Sequence, residues 1–186
     1  MSSPFAPLEV AVFRRFWLAN IASNFGGLVQ AVGAAWMMTL ISDSDALVAL
    51  VQASTTLPIM AFSLIAGAVA DSFDRRRVML ASQVFMLVVS IVLTAFAFLD
   101  WLNAWLVLAF TFLIGCGMAF NNPAWQASVR AFVGKDLLPG AVLLNGFGFN
   151  VTRSVAPAIG GTIVAVAGAS VAFLVNAVSY LGLIFA

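Results

Sequence analysis

Two apolar runs, residues 46–70 and 78–99, are separated only by the segment DSFDRRR at 71–77, which packs five charges into seven positions. Each run reaches or exceeds the roughly 20 residues an α-helix needs to cross a bilayer. Arginine at the hydrocarbon centre is costly, and short loops rich in Lys and Arg stay on the cytoplasmic side. The segment is therefore read as a tight cytoplasmic hairpin between two membrane spans, and it orients everything else.

Composition agrees. The 186 residues are 63% hydrophobic and 8% charged, against about 45–50% and 25% in soluble domains. A single cysteine, Cys116, leaves no pair for a disulfide, and the absence of histidine removes the commonest general base and metal ligand. No metal site, cofactor or nucleic-acid partner is expected, and an enzyme is disfavoured.

Along the chain the apolar stretches predict six helices at about 16–41, 46–70, 78–99, 103–132, 139–166 and 169–186 in one transmembrane domain. The first is too long for a signal-peptide core and has no small-residue cleavage site after it. The connections are expected around Asp43 and Asp45, at 71–77, around Asp100 and Asn103, in a Gly134-Lys135-Asp136 turn, and at Gly168. Arg14, Arg15, Arg75, Arg76, Arg77, Arg130 and Lys135 then fall on one surface, while the opposite loops carry Asp43, Asp45 and Asp100. The positive-inside rule puts the amino terminus in the cytoplasm. Because the sequence stops at Ala186 within an apolar run, the sixth span is expected to be cut and the chain to be a piece of a longer protein.

Three helices carry polar residues that apolar spans do not need. Asn20, Ser23, Asn24, Gly27 and Gln30 share an arc of about 120° on the first, a stripe that either lines an aqueous cavity or bonds to neighbouring helices. The fourth holds Asn121, Asn122, Pro123, Trp125 and Gln126: a proline kink with amides to satisfy the carbonyls it frees, and an aromatic wall for an apolar ligand. The fifth holds Arg153, flanked on one face by Gly146, Asn150, Pro157, Gly160 and Gly161. An intramembrane ionisable residue by default marks a substrate path. No Asp or Glu lies mid-span, so the driving ion stays open.

The spacing of Gly67, Asp71, Arg75 and Arg76 resembles the loop signature G-x-x-x-D-x-x-G-R-R/K of the major facilitator superfamily, with Asp74 where the general pattern has Gly. Gly67 would admit a neighbouring helix, and Asp71 sits within sequence reach of Arg75 and Arg76. The segment NVTRSVAPAIGG is similar to the fifth-helix exporter signature G-x-x-x-G-P-x-x-G-G at Pro157, Gly160 and Gly161, with Thr152 and Ala156 in place of its leading glycines. With NNPAWQASV and AFLVNAVSYL, these stretches resemble the amino-terminal half of the transmembrane secretion effector branch, which includes enterobactin exporters and usually has Asp at the Asp74 position.

The resemblance implies a twelve-helix fold of two six-helix halves with a substrate cavity between them, and a loop at Asp71 and Arg75 that contacts the other half and holds the outward-facing state. The expected function is secondary active export of small amphipathic or apolar molecules, siderophore-like or drug-like, by alternating access in the bacterial inner membrane. Asn20, Asn24, Gln30, Asn121, Asn122, Trp125, Gln126, Asn150 and Arg153 are the candidate cavity residues, and Pro157, Gly160 and Gly161 the candidate packing residues. The partners expected are a small-molecule substrate, membrane lipid, and the missing half or a second copy. A non-transporting interaction module, or a half-transporter acting as a dimer, is the alternative.

Overall fold

The computed structural model describes residues 4–186, and among them every regular element is helical. A short 3-10 helix, Ala6–Glu9, leads into α1 (Ala11–Ile41), α2 (Asp45–Ser72), α3 (Arg75–Phe98), α4 (Ala104–Ala167) and α5 (Ala169–Phe185). The first four are long and apolar enough to cross a membrane, whereas α5 is a shorter apolar helix of 17 residues.

The hairpin is tighter than its sequence implies. Only Phe73 and Asp74 separate α2 from α3, because Asp71 and Ser72 extend one helix and the three arginines begin the next. Asp74 makes this possible as the N-cap of α3. Its Oδ1 accepts from the backbone N–H of Arg76 at 2.9 Å and of Arg77 at 3.2 Å, satisfying two of the donors that a helix start leaves open. At the α3–α4 connection Asn103 caps in the same way, accepting from Leu106 N–H at 3.0 Å.

α4 is 64 residues long, which as one straight rod would measure about 96 Å at 1.5 Å per residue. It is not straight. Gly134 alone leaves helical geometry, at φ 71° and ψ −178°, a region open essentially to glycine. The expected Gly134-Lys135-Asp136 turn is thus a one-residue break: Lys135 and Asp136 already belong to the second helical stretch, and nothing in their chemistry forbids it. One apolar cluster joins Val107 and Ile114 with Ala169 and Phe173. A second joins Val129 and Val133 with Ala141 and Leu144. The chain therefore travels from the first cluster to the second and returns after Gly134.

The same two clusters sort the connections. Met38, Val48, Ala97, Leu102 and Ala104 gather in the first; Phe13, Ala70, Val78 and Met79 gather in the second. The α1–α2 and α3–α4 connections thus share one end, and the arginine hairpin and the Gly134 break share the other.

Close approach is set by small residues. A Cβ on Gly115 would stand 2.5 Å from the Thr55 carbonyl oxygen of α2, one on Gly117 2.3 Å from Met86 Cγ of α3, and one on Gly33 2.9 Å from Ala172 Cβ of α5. On the second stretch of α4, Gly148, Thr152, Ala156, Gly160 and Val164 are all buried, one every four residues. This ridge meets α1, where a Cβ on Gly160 would lie 3.2 Å from Val29 Cα. Of the three predicted packing residues only Gly160 belongs to it: Pro157 and Gly161 lie on an adjacent, exposed ridge. Thr152 and Ala156, which replace signature glycines, do the packing instead. Gly67 has no such neighbour among the described residues, none of which outside its own helix backbone comes within 4 Å of where its Cβ would be.

Candidate functional site

Hydroxyls in this bundle are mostly used up on their own helices. Ser82, Thr94, Ser128, Thr152 and Thr162 each donate to the carbonyl four residues earlier, at 2.7–3.0 Å, a local bond that needs no neighbour. Several amides instead bond between helices, and others line an open groove.

The first group is buried. Gln30 of α1 accepts from Ser90 of α3 at 3.3 Å and from Asn176 of α5, and Asn176 also donates to Tyr180 Oη at 3.0 Å. Gln30, Ser90, Asn176 and Tyr180 are at most 4% exposed. A second pair, Gln83 Nε2 of α3 to Asn121 Oδ1 of α4 at 3.1 Å, is equally interior. Gln30 and Asn121, both expected in a cavity wall, are therefore bonds between helices. Asn121 accordingly serves Gln83 rather than a carbonyl freed by Pro123.

The second group lines a groove of about 970 Å³. α1 contributes Trp17, Asn20 and Asn24; α2 contributes Gln52, Thr55, Thr56 and Ile59; the first stretch of α4 contributes Met118, Asn122, Trp125, Gln126 and Arg130; and its second stretch contributes Val142, Asn145, Gly146 and Phe149. Of the residues singled out in the sequence, this brings together Asn20, Asn24, Asn122, Trp125 and Gln126, along with Asp71 and Arg75 at the arginine-hairpin end.

Asn150 and Arg153 stand outside that wall. Asn150 is exposed and donates to the Gly146 carbonyl of its own helix at 2.8 Å. Arg153 is exposed, and among the described residues it forms neither a hydrogen bond nor an ion pair.

The hairpin charges are arranged differently from the sequence expectation. Arg75 Nη1 donates to the Ala127 carbonyl of α4 at 3.1 Å, and Asp71 pairs with no arginine among the described residues. Asp71 and Arg75 instead both line the groove. They also line a smaller cavity of about 640 Å³ at the same end, walled by Phe16, Leu80, Phe132 and Leu183.

Sequence reasoning passed over Trp17, Gln52, Thr55, Thr56 and Asn145. A signal for two of them was present. Trp17 lies three residues before Asn20 on the same helical face, and Asn145 is an amide in an apolar span, like those that were singled out.

Chemically the groove is mostly neutral, amide-rich and backed by aromatic and aliphatic side chains, with charge confined to Asp71, Arg75 and Arg130. Among the described residues no group of three or more His, Cys, Asp or Glu is placed to hold a metal ion.

Comparison with known proteins adds to this geometry. The chain is 26% identical over 167 residues to the Staphyloferrin A transporter of Staphylococcus aureus, a match covering 89% of this chain and 42% of that protein. It is 24% identical over 126 residues to Macrolide efflux protein A of Streptococcus pyogenes, covering 68% of this chain and 31% of that one. The matched region thus spans less than half the length of either relative. Residues 2–186 match the transmembrane secretion effector family. Across nearly its whole length, then, this multi-pass membrane chain belongs to the transmembrane secretion effector family of the major facilitator superfamily.

Proposed function

We propose that the chain is the six-span amino-terminal half of a secondary active exporter, in which the groove forms one wall of the cargo cavity. The observation that carries this reading is the groove itself: neutral amides on four helical stretches turned to one open side, where the opposite wall of an alternating-access transporter belongs. The two stretches of α4 either side of Gly134 serve as the fourth and fifth spans, and α5 as the sixth. The opposite wall comes from a second six-span half, carried on the same polypeptide or on a second copy. The relatives, each more than twice as long as the region they match, support the first arrangement.

The cargo is small and amphipathic, siderophore-like or drug-like, as the names of the two relatives suggest. The cytoplasm holds the amino terminus and the arginine hairpin, and the bacterial inner membrane holds the spans. Asp71 and Arg75 at the groove's cytoplasmic end form the contact with the second half that biases its conformation, and Arg153, exposed and unpaired among the described residues, finds its counter-charge there or on an anionic cargo.

The test is export by the full-length protein. Cells expressing it should accumulate less of at least one compound in a panel of siderophores and lipophilic antibiotics than cells carrying an empty vector. Equal accumulation of every compound, with the protein present in the membrane, would sink the proposal.

A further inference from the structure

Charge in the groove gathers at the arginine-hairpin end and does not balance. Its ionisable lining residues are Asp71, Arg75 and Arg130, two positive against one negative. Arg75 is held beside the first stretch of α4, its Nη1 3.1 Å from the Ala127 carbonyl oxygen, and Arg130 follows Ala127 by less than one turn. A carbonyl accepts the hydrogen bond but leaves the guanidinium charge in place. Asp71 forms an ion pair with neither arginine among the described residues, and the Arg130 side chain has no hydrogen bond or ion pair among them. Neighbouring charges do not reverse the sign: Asp74 stands beside Arg76 and Arg77, and Lys135 beside Asp136. From Arg130 a polar ridge runs into the groove. Asn122, Gln126 and Arg130 are all exposed and all line it. They recur every four residues, so they share one face about 6 Å apart along the axis at 1.5 Å per residue. Neither amide side chain has a hydrogen bond among the described residues.

We infer that Arg130 receives a carboxylate of the cargo at this end of the groove, the two oxygens accepting from its guanidinium fork. The inference rests on the groove being the cargo site and narrows the cargo to amphiphiles with an anionic end. Gln126 and Asn122 offer amide N–H donors to further oxygens along the same ridge. Met118, Ile59 and Phe149 supply the apolar wall for the body of the molecule. A cationic end meets surplus positive charge and is disfavoured, whereas a neutral end gains no charge-assisted bond.

The experiment uses three probes that share an aromatic body: naphthoate, naphthylmethanol and naphthylmethylammonium. Binding to the full-length protein in nanodiscs of zwitterionic lipid is read by quenching of tryptophan emission, with each probe corrected for partition into empty nanodiscs. Naphthoate should bind about tenfold more tightly than naphthylmethanol, and the ammonium no more tightly than the alcohol. Arg130→Gln should bring naphthoate to within about twofold of naphthylmethanol while naphthylmethanol binding holds. Arg130→Lys, which keeps the charge without the fork, should retain a preference of about threefold. Arg15→Gln, which removes an exposed arginine outside the groove, should keep the full preference. Equal affinities for acid and alcohol in the unaltered protein, or tighter binding of the ammonium than of the alcohol, would overturn the inference and leave the groove a cargo site. So would a preference that survives Arg130→Gln, or one lost equally in Arg15→Gln. Absence of saturable binding by every probe would overturn both.

Discussion

Arg75 of the hairpin donates from Nη1 to the main-chain carbonyl of Ala127, 3.1 Å away on α4. A side chain from one turn thereby ties down a helix 52 residues further along the sequence, and Asp71 is left without a partner among the described residues.

Asp71 and Asp74, three residues apart, should therefore fail differently. Asp74→Ala removes the cap of α3 and should lower stability by about 1 kcal/mol, seen as a fall in melting temperature of the purified chain. Asp71→Asn should leave the melt unchanged but slow export by the full-length protein. A lower melting temperature for Asp71→Asn would place its carboxylate in the fold rather than in the conformational cycle.

The buried amide network offers a second measurement. Gln30→Leu removes an acceptor shared by Ser90 and Asn176 and should cost about 1–2 kcal/mol. Asn176→Leu should cost more, because Asn176 also bonds Tyr180. The double variant should lose less than the sum, as expected for groups in one network. Strict additivity in denaturation would mean the three helices are not held together there.

The glycines divide by what faces them. Gly115→Ala pushes a methyl into the Thr55 carbonyl and should destabilise by about 1–3 kcal/mol, the usual cost of overpacking. Gly161→Ala meets open space and should stay within about 0.5 kcal/mol. Equal melting temperatures for the two would show that α2 and α4 approach less closely than described.

Sequence patterning revealed these helices because run length is a one-dimensional quantity, and membrane thickness fixes it. It also marked Asn20, Asn24, Asn122 and Gln126, since an amide in an apolar span has few uses. Which use each amide serves was not legible. Asn20 and Gln30 share one helical face, yet Asn20 meets the groove and Gln30 meets Asn176, because their fates depend on what a distant helix presents at each depth. The same holds for glycine: Gly67 stood out through its motif, Gly115 did not, and only Gly115 is pressed against a neighbouring backbone. The Gly134 break was drawn too wide because Lys135, Asp136 and Leu137 are all acceptable in a helix.

Arg153 gives a prediction about cargo charge. It is exposed and has no partner among the described residues, so Arg153→Gln should leave the stability of this chain unchanged. In the full-length exporter it should reduce transport of anionic compounds more than of neutral ones. Arg153→Lys, which keeps the charge but loses the planar fork, should fall between. Equal loss for both classes would assign Arg153 to contact with the second half instead.

Gly134 carries a consequence at the level of the gene. The reversal of α4 hangs on one residue at φ 71° and ψ −178°, and every single-base change that replaces a glycine codon's amino acid brings in a Cβ or ends translation. In a saturation library selected for export, position 134 should therefore admit almost nothing else, while Gly161 drifts freely. A turn several residues long would have spread that burden over its members; concentrated in one codon, it leaves the lineage no nearby detour.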